Sequence, residues 1–255
     1  EHNPISVIAD DAFSGTLIEY LVLDDINIGP SPPNLSSIAS TLKGLGLVSN
    51  NIETVSPILF KGMAKLETLY LYRNRLSQFP DFSMLPTDNA LTVVYVPYNQ
   101  LTFSSFESLG PLIERTSDKL QGLGLPGNDL SRVNADQLYN LAKAFPNLEY
   151  LELYDVGLTT FPDVTSINRT VNLTLSLNGN PLVCDCRLSW LIDAVKDDND
   201  HVTFEYYNEE YNSYPKCTSP TELRGEYLHE LEISSLCPGE SSTIYYHFAG
   251  LTANL

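Results

Sequence analysis

The sequence predicts an α/β solenoid of stacked repeats, covered at its C-terminal end by a module that disulfide bonds cross-link. Two observations support this prediction. An aliphatic pattern, L-x-x-L-x-L-x-x-N-x-L, occurs seven times, and successive copies begin 24–29 residues apart. All four cysteines, by contrast, lie beyond residue 183. Self-similarity at such a period is typical of repeat arrays, in which each unit packs only against its neighbours.

Each copy of the pattern is predicted to supply one short strand. In L-x-L the two leucines point to the same side, because side chains alternate along a strand. One repeat cannot bury them alone, whereas stacked repeats form a parallel sheet over a continuous core. Burial contributes about 1.5–3 kcal/mol for each leucine-sized side chain. The copies are IEYLVLDDINI (18–28), LKGLGLVSNNI (42–52), LETLYLYRNRL (66–76), LTVVYVPYNQL (91–101), LQGLGLPGNDL (120–130), LEYLELYDVGL (148–158) and NLTLSLNGNPL (172–182).

The asparagine of the pattern is predicted to turn inward and bond the backbone of neighbouring loops. Leaving such buried groups unpaired costs about 1–3 kcal/mol each. Two repeats carry Ile26 and Val156 in this position. Their side chains cannot form these bonds, so we expect looser loops there. The remaining repeats have Asn50, Asn74, Asn99, Asn128 and Asn180.

These repeats resemble those of the leucine-rich repeat family, and the resemblance covers almost the whole chain. It implies a curved right-handed superhelix with a parallel sheet on its concave face. We assign residues 1–183 to this solenoid, as about seven repeats and a partial N-terminal one. The family places a phenylalanine spine behind the core, where Phe13 and Phe60 fall. Among the connections, ADQLYNLAKAF (135–145) has the apolar spacing of a helix.

The stretch LQGLGLPGNDL (120–130) also contains G-x-G-x-x-G, the glycine spacing of dinucleotide-binding folds. That motif requires a strand before the first glycine and a helix that begins at the third. Here Leu123 and Leu125 belong to the repeat strand itself, and a turn sequence follows. KGLGLVSNN (43–51) repeats the arrangement without the third glycine. The glycines are therefore predicted to serve the repeat, and nucleotide binding is rejected.

The cysteines indicate a stapled module made in an oxidising compartment, because an even number is confined to one segment. A zinc site is the rival interpretation. It normally shows C-x-x-C or histidine partners at short spacing, whereas this chain has one C-x-C followed by two isolated cysteines. Sequence alone leaves three disulfide connectivities open.

NPLVCDCRLSWL (180–191) and CTSPTELRGEYLHELEISSLC (217–237) resemble the cysteine-rich C-terminal cap of extracellular leucine-rich repeat proteins. The resemblance implies the disulfides Cys184–Cys217 and Cys186–Cys237. Residues 184–237 are thus expected to cover the exposed end of the solenoid, and residues 238–255 to form a tail. No matching N-terminal cysteine cap is found. Truncation, processing and a partner that covers this edge are the competing explanations.

A net charge of −18 restricts the partners. So acidic a surface repels phosphate backbones and anionic lipid, which excludes nucleic acid and favours a protein ligand with a basic surface. The rival interpretation is that the charge only maintains solubility. No apolar run approaches the roughly 20 residues that span a bilayer, and the first residues do not resemble a signal peptide. We expect a secreted protein or a cell-surface ectodomain, with its signal removed.

The outward positions of the predicted strands carry seven tyrosines flanked by acidic residues. Tyrosine combines rigid apolar area with a hydroxyl group and is enriched at binding interfaces. The rival explanation is that tyrosines merely pack across neighbouring strands of an exposed sheet. The candidate ligand-binding residues are Tyr20, Asp24, Asp25, Tyr70, Tyr72, Arg73, Tyr95, Tyr98, Tyr150, Glu152, Tyr154 and Asp155.

Covalent modification is suggested at two kinds of site. FEYYNEEYNSYPK (204–216) is either a substrate for tyrosine sulfation or a solvated loop. N-x-S/T sequons mark Asn34, Asn168 and Asn172 as candidate glycosylation sites, with Asn172 expected to be crowded by the adjacent strand. No metal or cofactor is expected, because the acidic pairs lack the alternating spacing of a calcium loop.

The sequence therefore favours a non-enzymatic extracellular module that recognises a protein ligand through a tyrosine-rich, acidic concave face. None of the four histidines lies on a repeat strand, and neither G-x-S-x-G nor H-E-x-x-H occurs. One alternative is a structural or accessory subunit of a secreted complex, docked to a subunit partner or a second copy through its N-terminal edge. The other is an enzyme.

Overall fold

The computed structural model describes residue 5 and residues 7–196, 202–204 and 214–238. Within these residues the repeats form one sheet of eight parallel strands in the order β1-β2-β3-β4-β5-β6-β7-β9. The strands are β1 (Tyr20–Val22), β2 (Gly44–Gly46), β3 (Thr68–Tyr70), β4 (Val93–Tyr95), β5 (Gly122–Gly124), β6 (Tyr150–Glu152), β7 (Leu173–Ser176), β8 (Leu182–Val183), β9 (Val202–Phe204) and β10 (Cys217–Ser219).

One aliphatic residue per repeat lies in register across the sheet. Leu21 pairs with Leu45, and the row continues through the central residue of each strand to Leu151 and Leu175. These side chains are 0–8% exposed and belong to one continuous core. The predicted stacking of L-x-L segments is therefore confirmed.

The asparagine ladder joins the loops that follow the strands. The Asn74 side chain accepts the N–H groups of Asn50 at 3.1 Å and Ile52 at 2.9 Å. It also donates to the carbonyl groups of Leu47 at 2.8 Å and Leu71 at 3.1 Å. Each asparagine thus links its own repeat to the preceding one, as predicted.

The loop at Val156 departs from the expected loosening. Val156 is 1% exposed, and its N–H donates to the Asn180 side chain at 3.1 Å. The N–H of Leu130, which an asparagine would accept, donates instead to the carbonyl oxygen of Val156 at 2.9 Å. Ile26 is likewise buried, and the Asn50 side chain accepts its N–H at 3.2 Å. Hydrogen bonds from backbone groups and from the asparagines of the following repeats therefore hold the loops at Ile26 and Val156 in the same ladder as the others.

The connections behind the sheet are mostly short. Helices α1 (Gly110–Thr116) and α2 (Ala135–Ala144) lie in the longest ones, and 3₁₀ helices span Pro57–Phe60 and Phe103–Leu109. The predicted helix at 135–145 is confirmed, with Asn134 accepting the N–H of Gln137 at 2.9 Å as its N-cap.

Phenylalanine side chains fill the space between these connections and the sheet. Phe60 is fully buried, and its ring stacks on Phe82 with 4.5 Å between centroids. Phe13 is half-buried and packs against the same core. The predicted spine is therefore present at Phe60 and continues to Phe82.

Arg169 fastens helix α2 to the next repeat. Its guanidinium group donates to the carbonyl oxygens of Ala142 at 2.8 Å, Leu148 at 3.4 Å and Phe145 at 3.5 Å. Burial lowers the pKa of this guanidinium below its ordinary value. A cation at a helix C-terminus compensates carbonyl groups that have no partner within the helix.

The C-terminal cap contains both predicted disulfides. Cys184 bonds Cys217 and Cys186 bonds Cys237, with Cα–Cα distances of 5.5 and 5.0 Å. Strand β8 pairs with β10, and helices α3 (Ser189–Lys196) and α4 (Ile233–Leu236) complete the described part. 3₁₀ helices span Cys186–Leu188, Thr221–Leu223 and Leu228–Glu230. Of the described helices, none has the length and apolarity required to cross a membrane.

The cap also extends the main sheet, which the sequence did not predict. Strand β9, from within residues 184–237, pairs in parallel with β7. Val202 is buried at this junction. The cap therefore covers the last repeat partly by continuing its hydrogen-bonded ladder, which protects a strand edge that would otherwise be open.

Replacing Asn74 by alanine is expected to lower the free energy of unfolding by about 2–3 kcal/mol, because buried N–H and carbonyl groups lose their partners. Gln100→Ala is the control. Gln100 is exposed, and such a surface change is expected to stay within about 0.5 kcal/mol. Urea denaturation followed by circular dichroism measures both. Equal stability of the two variants would contradict the ladder's role.

Removing either disulfide by a paired Cys→Ser change is expected to destabilise the protein by about 4 kcal/mol in the loop-entropy model. The two bridges close separations of 33 and 51 residues, so the model gives similar values for both. Thermal unfolding of each variant, monitored without reductant, measures the loss. A transition unchanged by both replacements would show that the cap does not stabilise the repeats.

Candidate ligand-binding face

The sheet presents two outward rows of side chains on the concave face, on either side of the buried central row. The strand register sets their membership. The first row comprises Tyr20, Gly44, Thr68, Val93, Gly122, Tyr150 and Thr174. The second row comprises Val22, Gly46, Tyr70, Tyr95, Gly124, Glu152 and Ser176.

Four of the predicted tyrosines form what we call the tyrosine cluster: Tyr70, Tyr72, Tyr95 and Tyr98. The rings of Tyr70 and Tyr95 stack with 5.7 Å between centroids. Tyr72 and Tyr98 meet edge to face at 5.2 Å. Arg73 places its guanidinium carbon 4.9 Å from the centroid of Tyr72. The four rings therefore form two pairs, each of which joins neighbouring repeats.

The other three tyrosines share the face with this cluster. Tyr20 lies on the first strand and is 64% exposed, and Tyr150 on β6 is 46% exposed. Tyr154 is half-buried. The seven tyrosines thus share one side of the sheet, as predicted, and those of β3, β4 and their following turns form the two ring pairs.

The glycines whose spacing imitates a dinucleotide-binding motif leave space for the tyrosine cluster. A Cβ atom on Gly124 would lie 2.5 Å from the Tyr95 ring, and one on Gly127 would overlap the Tyr98 ring. Gly122 and Gly124 form strand β5, and no helix follows Gly127 directly. Tyr95 and Tyr98 of the preceding repeat therefore lie over backbone that carries no side chains. This packing requires glycines at these positions and accounts for the spacing that resembles a phosphate-binding loop.

A left-handed backbone conformation recurs just before the asparagine position in all seven described repeats. Glycine adopts this conformation without strain, whereas other residues do so at a cost of about 1 kcal/mol or more. Arg73 and Tyr98 adopt it with φ values of 53° and 49°, and both belong to the cluster or contact it. The complete set is Asp25, Ser49, Arg73, Tyr98, Gly127, Asp155 and Gly179.

Glu152 is the acidic residue nearest the cluster. It is 8% exposed although it belongs to an outward row. The Tyr95 hydroxyl donates a hydrogen bond to its Oε1 atom. Strands β4 and β6 lie two strand spacings apart, about 10 Å, so Tyr95 reaches across β5 above Gly124.

The remaining charged groups of the face have distinct environments. Asp24 accepts the N–H of Val48 at 3.0 Å and so supports a turn. Asp25 and Asp155 are exposed. At the edge of the face, Lys43 forms an ion pair with Glu19 at 2.9 Å, and hydrogen bonding to Glu19 raises the pKa of Lys43. The predicted site therefore contains three kinds of group: paired tyrosines, exposed carboxylates and one buried carboxylate that is hydrogen-bonded to the tyrosine cluster.

The three candidate glycosylation sites are exposed. Asn34, Asn168 and Asn172 are all exposed, so the expected crowding at Asn172 is not observed. Their glycosylation stays a prediction. The candidate sulfation segment at 204–216 lies almost entirely outside the described residues. Of its tyrosines, Tyr214 is described and its ring packs on His229 with 3.7 Å between centroids.

Comparisons with known proteins agree with this architecture. A family model described as leucine rich repeat matches residues 40–101. The chain has the fold of a leucine-rich repeat solenoid with a disulfide-bonded C-terminal cap. It is 40% identical to a phospholipase A2 inhibitor of Gloydius brevicaudus siniticus over 105 residues, which are 40% of this chain and 29% of the inhibitor.

A second curated relative is the mouse leucine-rich repeat and immunoglobulin-like domain-containing nogo receptor-interacting protein 3. It is 40% identical over 60 residues, which are 24% of this chain and 8% of that protein. This leucine-rich repeat chain therefore matches less than a third of the length of either relative.

Two solved structures share the fold. Human 5T4 superposes with a TM-score of 0.59 at 17% identity, covering 92% of this chain and 91% of that chain. A chain of the Drosophila Toll–Spatzle complex gives 0.58 at 20% identity, covering 89% and 34%. At these identities the likeness concerns the solenoid architecture alone, and it includes nearly all of this leucine-rich repeat chain.

The glycine strip offers a matched pair of substitutions. Gly124→Ala is expected to displace the Tyr95 ring and to destabilise the protein by about 1–2 kcal/mol, as overpacking does. At Gly122 an added Cβ would lie 3.4 Å from its nearest neighbour, so Gly122→Ala is expected to be neutral or to stabilise by a few tenths of a kcal/mol. Thermal unfolding and the NMR signals of the Tyr95 ring report both effects. Loss of stability at Gly122 but not Gly124 would contradict the packing described.

Proposed function

We propose that this protein is a non-enzymatic extracellular module that binds another protein through its concave face, with the tyrosine cluster at the centre of the contact. The observation that carries this proposal is the pairing of Tyr70 with Tyr95 and of Tyr72 with Tyr98 across two neighbouring repeats. Tyr70 and Tyr98 remain 42% and 38% exposed within it.

The packing favours binding because it lowers the entropy lost on association. Side chains that already hold one conformation lose less freedom when a partner covers them. Tyrosines also supply large amphipathic contact area with few rotatable bonds, which makes them frequent hot-spot residues. Here each ring of the tyrosine cluster packs against a second ring or over a glycine. The side-chain conformations are therefore already restricted before a partner binds.

Burial of the aromatic rings against each other is the competing explanation. Cross-strand aromatic pairs stabilise any antiparallel or parallel sheet to some degree. That explanation does not account for the exposure of Tyr70 and Tyr98, which remain 42% and 38% exposed although each ring is paired. Exposed aromatic residues of this kind are enriched at protein interfaces. We therefore favour recognition over simple sheet packing.

The proposed partner is a protein with a basic surface. The net charge of −18 favours a cationic partner and disfavours nucleic acid. The names of two curated relatives, an inhibitor of phospholipase A2 and a nogo receptor-interacting protein, describe proteins that act on other proteins. The two disulfides support a secreted or ectodomain location.

A second candidate function rests on the exposed apolar residues near β1. Leu17 is 82% exposed and Val22 62% exposed. Among the described strands, β1 pairs with β2 alone. Such an edge suits a structural or accessory subunit that docks side by side with a partner or a second copy. Light scattering coupled to size exclusion distinguishes this alternative, because self-docking requires a dimer.

Affinity capture from extracellular fluid of the source tests the concave-face proposal. The wild-type bait is expected to enrich a protein that a Tyr70→Ser/Tyr98→Ser bait loses by tenfold or more. Ile58→Ser/Phe103→Ser is the matched control, since Ile58 and Phe103 are exposed at 69% and 41% on the opposite side of the repeats. A purified phospholipase A2 serves as a defined protein probe in parallel.

The same experiment can contradict the proposal. All baits must unfold at the same temperature as the wild type within a few degrees. If every captured protein is retained by the tyrosine variant and lost by the control variant, binding uses the convex side and the concave face is excluded.

A further inference from the structure

An open groove lies between helices α1 and α2, on the side of the repeats opposite the concave face. We propose that this groove receives one large apolar side chain of a protein partner, from a segment that carries lysine or arginine beside it. The inference goes beyond the concave-face proposal, because it assigns a second contact surface. Its evidence is the size of the groove, its lining, the glycine at its edge and the charge around it.

The groove exists because the two helices are not packed against each other. They belong to the connections of consecutive repeats, yet their backbones make few close approaches. The space between them has a volume of about 240 Å³. An apolar cavity of about 150 Å³ holds a benzene ring, whereas small-molecule sites occupy about 300–1,000 Å³. The groove therefore has the size of one large side chain rather than of a whole ligand.

The lining of the groove is largely apolar. Phe106, Leu109 and Ile113 contribute from the first connection, and Leu141 contributes from α2. The two leucines are 3% and 2% exposed and belong to the core, whereas Phe106 and Ile113 are only half-buried. Covering the water-exposed parts of Phe106 and Ile113 with an apolar group is favourable. The groove thus offers a partner an apolar contact that is continuous with the solenoid core.

Gly110 leaves one edge of the groove open. Its φ and ψ of −47° and −52° are those of an ordinary right-handed helix, so the backbone does not require glycine there. A Cβ atom at this position would meet nothing within 4 Å outside the adjoining helix backbone, so packing does not require glycine either. Within a helix glycine is less favourable than alanine. The missing side chain therefore weakens the helix and keeps the groove accessible.

The surroundings of the groove favour a cationic partner. Glu107 lines the groove and also a second cavity of about 440 Å³, toward the preceding repeats, which Glu53 and Asp81 line as well. Among the described residues that line the two cavities, none is lysine or arginine. Arg115 of α1 donates to the carbonyl oxygen of Ser83 at 2.8 Å and lines neither cavity.

Charge also separates the possible occupants of the groove. A positive segment is attracted to the three carboxylates, which orients it on the surface. A second copy of this chain, with a net charge of −18, and an anionic lipid are both repelled. We therefore assign the groove to a basic segment of another protein.

The position of Glu107 restricts the sequence of that segment. Because Glu107 borders both cavities, a residue that enters the groove has its neighbours in the chain close to this carboxylate. Successive residues of an extended segment lie about 3.3 Å apart. A lysine or arginine one or two positions from the apolar residue therefore reaches Glu107 and the acidic cavity beside it.

The test uses three peptides: acetyl-Lys-Lys-Phe-Lys-Lys-amide, the same peptide with alanine in place of phenylalanine, and acetyl-Glu-Glu-Phe-Glu-Glu-amide. Methyl signals of Ile113 and Leu141 are followed by NMR as each peptide is added at physiological salt, which screens unspecific charge attraction. We expect the basic phenylalanine peptide to shift these signals saturably and to bind at least fivefold more tightly than either of the others.

Variants then assign the effect to the groove. Gly110→Leu places an apolar side chain of the protein itself at the groove, and it is expected to weaken peptide binding at least fivefold without lowering the unfolding temperature. Glu107→Gln is expected to weaken binding at least threefold. Glu114→Gln is the matched control, because Glu114 is exposed on α1 and lines neither cavity. Thermal unfolding confirms that each variant is folded.

Four results would overturn the inference: no saturable shift of the groove signals, equal binding of the alanine peptide, equal binding of the acidic peptide, or unchanged binding by Gly110→Leu. Shifts of the same signals on dilution of the protein alone would assign the groove to a second copy. The capture experiment concerns the opposite face. If captured proteins depend on Tyr70 and Tyr98 while the peptides fail, the concave-face proposal stands and the groove assignment alone is wrong.

Discussion

The structure depends on the stacking of one aliphatic row, repeat upon repeat, under a ladder of asparagine side chains. The central leucines of neighbouring strands, such as Leu45 and Leu69, are fully buried only because the next repeat covers them. The asparagines hold the turns that follow in a common conformation. Since each repeat contacts mainly its neighbours, this local rule propagates along the chain. The stacking of the repeats therefore sets the spacing between side chains on the concave face.

Within that constraint, glycine shapes the surface. The strands β2 and β5 carry glycine at both outward positions, so the sheet has two strips without side chains. At β5 the neighbouring tyrosines fill the strip: Tyr95 lies over Gly124 and Tyr98 over Gly127. The same residues that imitate a nucleotide-binding motif in the sequence therefore serve to accommodate aromatic rings from the preceding repeat.

The cap covers the end of the solenoid, where the last repeat has no following repeat to bury its core residues. Two disulfides, the small β8–β10 sheet and the packing of Trp190 near Phe161 at 6.2 Å between ring centroids attach it to the last repeat. Strand β9 continues the main sheet beyond β7. The cap thus shares both the core and the hydrogen-bond ladder of the solenoid. Residue 184 therefore marks a change in the sequence pattern, whereas the core and the ladder continue across it in the structure.

The sequence by itself determined the repeats, the inward asparagines, the helix at 135–145, the side of the sheet on which the tyrosines lie and, through family resemblance, the disulfide partners. These features follow from short-range periodicity or from a local motif. Only the tertiary structure decided that four of the seven tyrosines form two ring pairs, that Val156 keeps its loop in register through its backbone, and that Tyr95 bonds Glu152. Tyr95 and Glu152 are 57 residues apart, and they meet because an intervening strand lacks side chains. Which ring leans across which glycine depends on the neighbours that three-dimensional stacking supplies, and no periodicity within one repeat encodes it.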